Sequence, residues 1–248
     1  HLIWKRTSQA VSNPLKKWYL TLQSNRLKRF EEALTKSVDS IWSISEEDNF
    51  WFKAINPAST TISVSIAQQE VMTNLTHLSC FHLGALDWEP NLQGLEWFTS
   101  QVWPRVLREI PNATFHVAGN NPPKHMQSDQ KKNITVHGRV PDAQEFAKSH
   151  GIAVVPLLAG SGVRIKIIMN ASWGVPMVST RVGAEGLFDA TAQGVELADS
   201  AEEFSQALIA LLQNPEKSLV LGRTANQHIL SNFGPKSIQE KIAQAWSV

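Results

Sequence analysis

The chain has 248 residues, of which 42% are hydrophobic and 18% are charged, and its formal net charge is +1. This composition is typical of a globular protein with a substantial core, and the near-zero charge argues against nucleic acid as the main partner. The single cysteine, Cys80, excludes an internal disulfide and favours a reducing compartment, and no apolar run approaches the length of about 18 residues that suggests a membrane span.

The first part of the chain, residues 1–75, predicts a partial α/β domain. It begins at His1 with neither an initiator methionine nor a secretory signal, so we expect it to start within a longer protein. A helical pattern runs from Leu20 to Leu34, and a strand pattern covers Ser40 to Ile44. Ser45 then resembles an N-cap, with Asp48 at the capping-box position. A second strand pattern and a linker complete this part, at residues 60–66 and 67–77.

The second part, residues 76–248, alternates short strands with helices. This pattern predicts an α/β domain with a Rossmann-like parallel sheet and helices on both faces. The predicted strands are residues 78–83, 114–118, 134–137, 152–157, 176–179 and 194–197. The predicted helices are residues 92–109, 143–149, 163–173, 201–213, 219–232 and 236–246.

The run from Gly160 to Lys166 (GSGVRIK) lies where a buried strand turns into a helix. Two cations fall in the first helical turn, where the helix dipole disfavours them, and residues 146–184 contain no Asp or Glu. Binding of an anion, such as a phosphate, would relieve this concentration of positive charge. Glycines also form turns without any ligand, and Arg164 or Lys166 could be a solvated surface residue, so both interpretations stay open.

Other nucleotide-binding and catalytic patterns are missing. The first strand of the second part is not followed by G-x-G-x-x-G, and the chain contains neither a P-loop nor a G-x-S-x-G nucleophile motif. His116, His125, His137 and His150 are scattered in sequence without metal-ligand spacing, which favours surface or core roles. The sequence therefore predicts no cofactor and no metal site.

A set of motifs in the second part resembles the C-terminal domain of a GT-B glycosyltransferase of the family 4 type, similar to bacterial sugar transferases of polysaccharide biosynthesis. No single motif is specific, but their order and spacing match the family over most of the second part. Residues 1–75 resemble the end of the family's N-terminal domain. The motifs are residues 83–91 (LGALDWEPN), 115–119 (FHVAG), 136–140 (VHGRV), 155–157 (VPL), 160–167 (GSGVRIKI), 174–180 (GVPMVST) and 183–187 (GAEGL).

The resemblance implies a fold, a reaction and a set of site residues. The C-terminal domain would hold a nucleotide-diphosphate sugar, and the N-terminal domain would present a glycan or lipid-linked acceptor. Transfer would retain the anomeric configuration and need no metal. Arg164 and Lys166 would neutralise the diphosphate as catalytic residues. The implied substrate-binding residues are Gly84, Gly138, Arg139, Val140, Gly160, Ser161, Gly162 and Met169.

Two departures from the family pattern leave a second hypothesis open. Met169 stands where the family has a glutamate that binds the ribose hydroxyls, and an earlier acidic position falls on Ser161. A thioether cannot accept hydrogen bonds as a carboxylate does, although the neighbouring Asn170 could partly substitute. The chain also lacks most of an acceptor domain. It is therefore either part of a cytoplasmic enzyme, with peripheral membrane contact through the absent domain, or a catalytically degenerate binding module. An unrelated Rossmann-like enzyme with a phosphate site is a third reading.

Overall fold

The computed structural model describes residues 1, 4–5, 8, 11, 13–75, 78–160, 162–188 and 194–246. They divide into two compact units, one formed by residues 1–63 with 240–248 and the other by residues 64–239. Among the described residues, no helix is both long enough and apolar enough to cross a membrane.

The first unit contains a long helix and a small parallel sheet. Helix α1 (Pro14–Ser37) begins at Asn13, whose side chain accepts from the backbone N–H groups of Leu15 and Lys16. Strands β1 (Ile41–Ser43) and β2 (Ser59–Thr61) pair in parallel around α2 (Glu46–Lys53). The Ser45 hydroxyl accepts from the Asp48 amide, which confirms the predicted cap.

The predicted strand over residues 60–66 was wrong beyond Thr61. The pairing stops there because β1 has ended at Ser43, whose carbonyl accepts a last hydrogen bond from the Ile62 amide. Further along, the Ile66 amide donates instead to the Phe233 carbonyl within the second unit. The alternating pattern therefore described an extended segment without a second strand to pair with.

Within the described residues, the second unit is built on a parallel sheet of six strands, which confirms the predicted α/β class. The strands are β3 (Ser79–Leu83), β4 (Thr114–Ala118), β5 (Ile134–Gly138), β6 (Ile152–Val155), β7 (Met177–Ser179) and β8 (Glu196–Leu197). Their order across the sheet is β5-β4-β3-β6-β7-β8.

Helices connect these strands. The helix predicted over residues 92–109 is divided into α3 (Glu89–Trp97), a π-helical turn (Phe98–Val102) and α4 (Trp103–Glu109). A 3₁₀ turn (Gln130–Lys132) precedes β5. The remaining helices are α5 (Ala143–His150), α6 (Ile165–Ser172), α7 (Arg181–Ala184), α8 (Ala201–Gln213), α9 (Pro215–Phe233) and α10 (Pro235–Trp246), the last of which ends in the first unit.

The strand order changes direction between β3 and β6. From β3 the chain proceeds outward to β4 and β5, and from β6 it proceeds the other way to β7 and β8. In open parallel sheets, ligands bind beyond the carboxyl ends of the strands at such a switch point. The loop after β3 contains Gly84 and the loop after β6 contains Gly160, so both flank this position.

Candidate functional site

Three polar side chains converge beside Gly84, directly after β3. A Cβ atom placed on Gly84 would lie 2.9 Å from Lys166 Nζ, 3.0 Å from Asn91 Nδ2 and 3.1 Å from His82 Nε2. Only glycine leaves this space open, because any side chain would meet all three polar groups. We call this space, bounded by His82, Gly84, Asn91 and Lys166, the Gly84 cradle.

Asn91 holds Lys166 in the cradle. Its Oδ1 accepts from Lys166 Nζ at 2.5 Å, and its own Nδ2 donates to the Ala85 carbonyl at 2.7 Å. Asn91 is buried in the first turns of α3, and Lys166 lies in the first turn of α6. The amide thus fixes the lysine without cancelling its charge.

The pKa of Lys166 is lowered from 10.5 to about 7. Burial is the main cause, and the positive charge of Arg164 is the second. A doubly charged phosphate or diphosphate next to Nζ would reverse both effects, because it would favour the protonated ammonium. The lysine is therefore poised to accept a proton when an anion arrives.

His82 was not among the residues selected from the sequence. Its Nδ1 lies 3.1 Å from the Val154 carbonyl, and since a carbonyl can only accept, Nδ1 carries the hydrogen. Burial, followed by the charge of Lys166, lowers the pKa of His82 well below its usual value. Among the described residues, its Nε2 is buried and has no hydrogen-bond partner, so an acceptor faces the cradle. A histidine inside the buried strand Ser79–Leu83 was the signal that could have revealed it.

Arg164 is the N-cap residue of α6 and is only 4% exposed. Its Nη1 donates to the Gly162 carbonyl at 2.6 Å, and its Nη2 lies 3.4 Å from the Val182 carbonyl. The guanidinium also lies under Gly160, where an added Cβ would be 3.1 Å from Nη2 and 3.5 Å from the ring of Trp88. The arginine therefore shapes the loop after β6, and Trp88 joins that loop to the one after β3.

The other cations of the acid-free stretch have carboxylate partners from outside it. Lys148 pairs with Glu70 at 3.1 Å, and Arg181 pairs with Asp199 at 2.5 Å. Lys166, in contrast, donates to a neutral amide. Positive potential is consequently retained at the beginning of α6.

The remaining predicted residues differ in how the structure places them. Gly162 has φ +85° and Gly138 has φ +66°, both with open space around the Cβ position, as a loop that approaches a ligand requires. Arg139 is exposed, and Val140 packs against the core. Neither is among the groups closest to the Gly84 cradle, so their contact with substrate stays a prediction. Ser161 lies outside the described residues.

Met169 lies on α6 and is partly buried against the hydrophobic core. Asn170, the neighbouring residue, is 2% exposed, and within the described part of the chain its Oδ1 has no hydrogen-bond partner. An apolar side chain therefore stands where the family resemblance implies a glutamate, with a buried amide acceptor beside it, and contact of Met169 with substrate stays a prediction.

The histidines that are scattered in sequence are not scattered in space. Within the described residues, His116, His137 and His150 form a group, whereas His125 is exposed elsewhere on the surface. The expectation of a surface or core role for each of these histidines stays a prediction. Their convergence depends on strand pairing, which sequence spacing does not reveal.

Among the described residues, the six-stranded parallel sheet with polar groups at its switch point has the α/β fold of a GT-B domain. Residues 78–214 match the family described as Glycosyl transferases group 1. Because this match covers more than half of the chain, the chain belongs to that family of transferases.

Individual proteins are also similar to this chain. The chain is 25% identical over 179 residues to an uncharacterized 44.6 kDa protein in the cps region of Klebsiella pneumoniae, covering 68% of this chain and 46% of that protein. The structure of TarM from S. aureus matches with a TM-score of 0.73 at 14% identity, covering 89% of this chain and 46% of TarM. HepE from Anabaena, in complex with UDP, matches with a TM-score of 0.70 at 12% identity, covering 88% and 66%.

The match to sucrose-phosphate synthase from Thermosynechococcus elongatus has a TM-score of 0.64 at 14% identity and covers 99% of this chain and 65% of the synthase. At these identities the structural likenesses show a common fold. The chain spans about half the length of the curated relative and of TarM.

Proposed function

We propose that this chain carries the donor site of a glycosyltransferase that transfers a sugar from a nucleotide diphosphate to a glycan or lipid-linked acceptor. The observation that carries the proposal is the Gly84 cradle at the sheet's switch point. There, Lys166 Nζ and His82 Nε2, which has no hydrogen-bond partner among the described residues, border the small space left by the absent side chain of Gly84. Of the solved relatives, HepE binds UDP, and TarM has been solved with UDP. UDP is therefore the first nucleotide to test.

Arg164 and Lys166 would act on the leaving group. As the bond between the sugar's anomeric carbon and the diphosphate oxygen breaks, negative charge builds on the diphosphate, and fixed cations stabilise it. The acceptor hydroxyl forms the new bond to the anomeric carbon, and its proton passes to the departing diphosphate oxygen. Since these two cations supply positive charge, we propose that the reaction needs no metal, and that it retains configuration as the family resemblance implies.

The location and the context of the reaction belong to the same proposal. The relative in the cps region supports a role in bacterial polysaccharide biosynthesis, and the motif order supports the family 4 type. We place the enzyme in the cytoplasm, where nucleotide sugars are made, with membrane contact through an acceptor domain outside this chain.

Calorimetric titration with UDP, GDP and their sugars tests the donor site. We expect the Lys166→Ala and Arg164→Ala changes each to weaken binding about 10- to 100-fold, the effect of losing a charged hydrogen bond of about 1.5–3 kcal/mol. Lys217→Ala is the matched control. Lys217 lies on α9 and pairs with Glu196 at 3.0 Å, so its replacement should leave nucleotide affinity unchanged. Equal weakening in all three variants would contradict the proposal, and a nicotinamide cofactor binding instead would overturn the family-based site.

Met169 favours a second candidate, a domain that binds without turnover. A carboxylate at this position would accept the ribose hydroxyls, whereas the thioether offers only weak acceptance. If the chain fails to bind every nucleotide and Met169→Glu restores binding, the degenerate module is the correct reading. If the unchanged chain binds UDP and Met169→Glu adds little, the donor site is intact without the glutamate.

A further inference from the structure

Among the described residues, three histidines meet on one face of the second unit, at the edge of its sheet. His116 lies on β4, His137 lies on the neighbouring edge strand β5, and His150 ends α5. The ring centroids are 4.0 to 5.4 Å apart. One ring nitrogen from each residue can be chosen so that all three atoms lie within 4.8 Å of one another.

Hydrogen bonds already orient the three rings. His150 Nδ1 lies 2.7 Å from the Phe146 carbonyl, so Nδ1 carries the hydrogen and Nε2 keeps a free lone pair. His116 Nε2 lies 3.1 Å from the Thr114 hydroxyl, and its Nδ1 faces His137 Nε2 at 3.0 Å. In a metal-ligating histidine, the ring nitrogen that does not bind the metal usually donates a hydrogen bond, often to a backbone carbonyl. His150 already has this arrangement.

Packing alone explains the cluster less well. The ring of Phe146 does lie against His137 and His150, with centroid distances of 5.1 and 4.2 Å. However, His137 is exposed and His116 and His150 are only partly buried, so the cluster lies where ions can reach it and is not simply part of the core.

We propose that His116, His137 and His150 form a binding site for a late first-row divalent cation such as Zn²⁺. Zinc binds imidazole nitrogen at about 2.0–2.1 Å, so tetrahedral ligands are about 3.3 Å apart. His116 Nδ1 and His137 Nε2 already lie 3.0 Å apart, and the cation would replace the hydrogen bond between them. The other nitrogens lie within 4.8 Å, and rotation of the His137 and His150 rings would bring them to this spacing. Three ligands leave one position for water or another ligand. The site is separate from the sugar-transfer chemistry proposed above and does not depend on it.

The test is calorimetric titration of the tag-free, chelator-treated chain with Zn²⁺. We expect one equivalent to bind with a micromolar or smaller dissociation constant, and Co²⁺ to give the visible absorption of a four-coordinate site. His137→Ala removes an exposed side chain and should weaken zinc binding by at least about 10-fold. Loss of an outer-shell partner alone costs about 10- to 100-fold in metal affinity, and loss of a ligand should cost no less. His150→Gln should do the same.

His125→Ala is the matched control, because His125 is exposed and outside the cluster. It should leave zinc affinity and stoichiometry unchanged. Binding that requires millimolar Zn²⁺, or that weakens equally in the His125 and His137 variants, would overturn the proposal. Circular dichroism of each metal-free variant separates loss of a ligand from loss of the fold, and UDP titration of the same variants reports independently on the donor site.

Discussion

At the scale of single residues, the candidate site is defined by how two cations are held. Arg164 donates to loop carbonyls and shapes the Gly160 loop, whereas Lys166 is attached to a neutral amide and keeps a lowered pKa. The sequence could predict that both cations follow β6, because the strand, the glycines and the helix are all visible in its pattern. It could not predict that Asn91 and His82 lie beside Lys166, because these contacts form only when β3 and β6 lie side by side.

The lowered pKa of Lys166 predicts that diphosphate binding takes up a proton. In the free protein at pH 8, a lysine with a pKa of about 7 is mostly neutral, and the anion raises that pKa, so about one proton should be bound per ligand. The terminal phosphate, with a pKa of about 6, contributes little at this pH. Affinity should therefore fall as the pH rises above about 7.

Calorimetry of UDP binding in buffers with different ionisation enthalpies measures this uptake. Lys166→Met should abolish most of it, while Lys217→Met, at a surface lysine paired with Glu196, should preserve it. Uptake that persists in Lys166→Met would assign the proton to another group and contradict the role given to Lys166.

At the scale of elements, the pattern predicted strands and helices well where local signals are strong. Ser200 and Glu203 form a complete capping box, and α8 spans the predicted residues 201–213. The predicted helix over residues 92–109 concealed a π-helical turn before Pro104, because the periodicity of apolar residues continues through it. The histidine cluster was missed for a similar reason, since it joins two strands and a helix that are separate in sequence.

Helix α9 predicts a test of packing between elements. A Cβ on Gly222 would lie 2.0 Å from the Gly174 carbonyl oxygen, just after α6, so the backbone itself would have to move. Alanine favours a helix over glycine by about 1 kcal/mol, yet overpacking costs about 1–3 kcal/mol or more. We therefore expect Gly222→Ala to lower the free energy of unfolding despite its better helix propensity.

Urea denaturation followed by circular dichroism provides the measurement. Val220→Ala is the control on the same helix, because Val220 is 54% exposed and its truncation should change stability by no more than about 0.5 kcal/mol. If Gly222→Ala proves as stable as Val220→Ala, α9 can shift away from residues 174–176 at little cost, and the close approach is not required.

At the scale of the whole molecule, the second unit contains the family match and the candidate site. Residues 78–214 lie within residues 64–239, as do His82, Gly84, Asn91, Arg164 and Lys166. The domain boundary predicted between residues 75 and 76 stays a prediction. In the structure, residues 64–75 are grouped with the second unit, since Met72 is buried and its amide donates to the Trp173 carbonyl. A linker pattern indicates the lack of regular structure but not the surface on which the segment packs.

This organisation predicts where a donor nucleotide changes hydrogen exchange. With saturating UDP, or GDP if the titration identifies that base, exchange should slow in peptides covering residues 82–91 and 157–184, because the groups proposed to bind the diphosphate lie there. Peptides from residues 14–61 should be unchanged, since the first unit supplies none of the described cradle groups. Arg164→Ala at the same nucleotide concentration is the control and should lose the protection. Protection centred on residues 14–61 would place the nucleotide elsewhere and refute the donor site at the switch point.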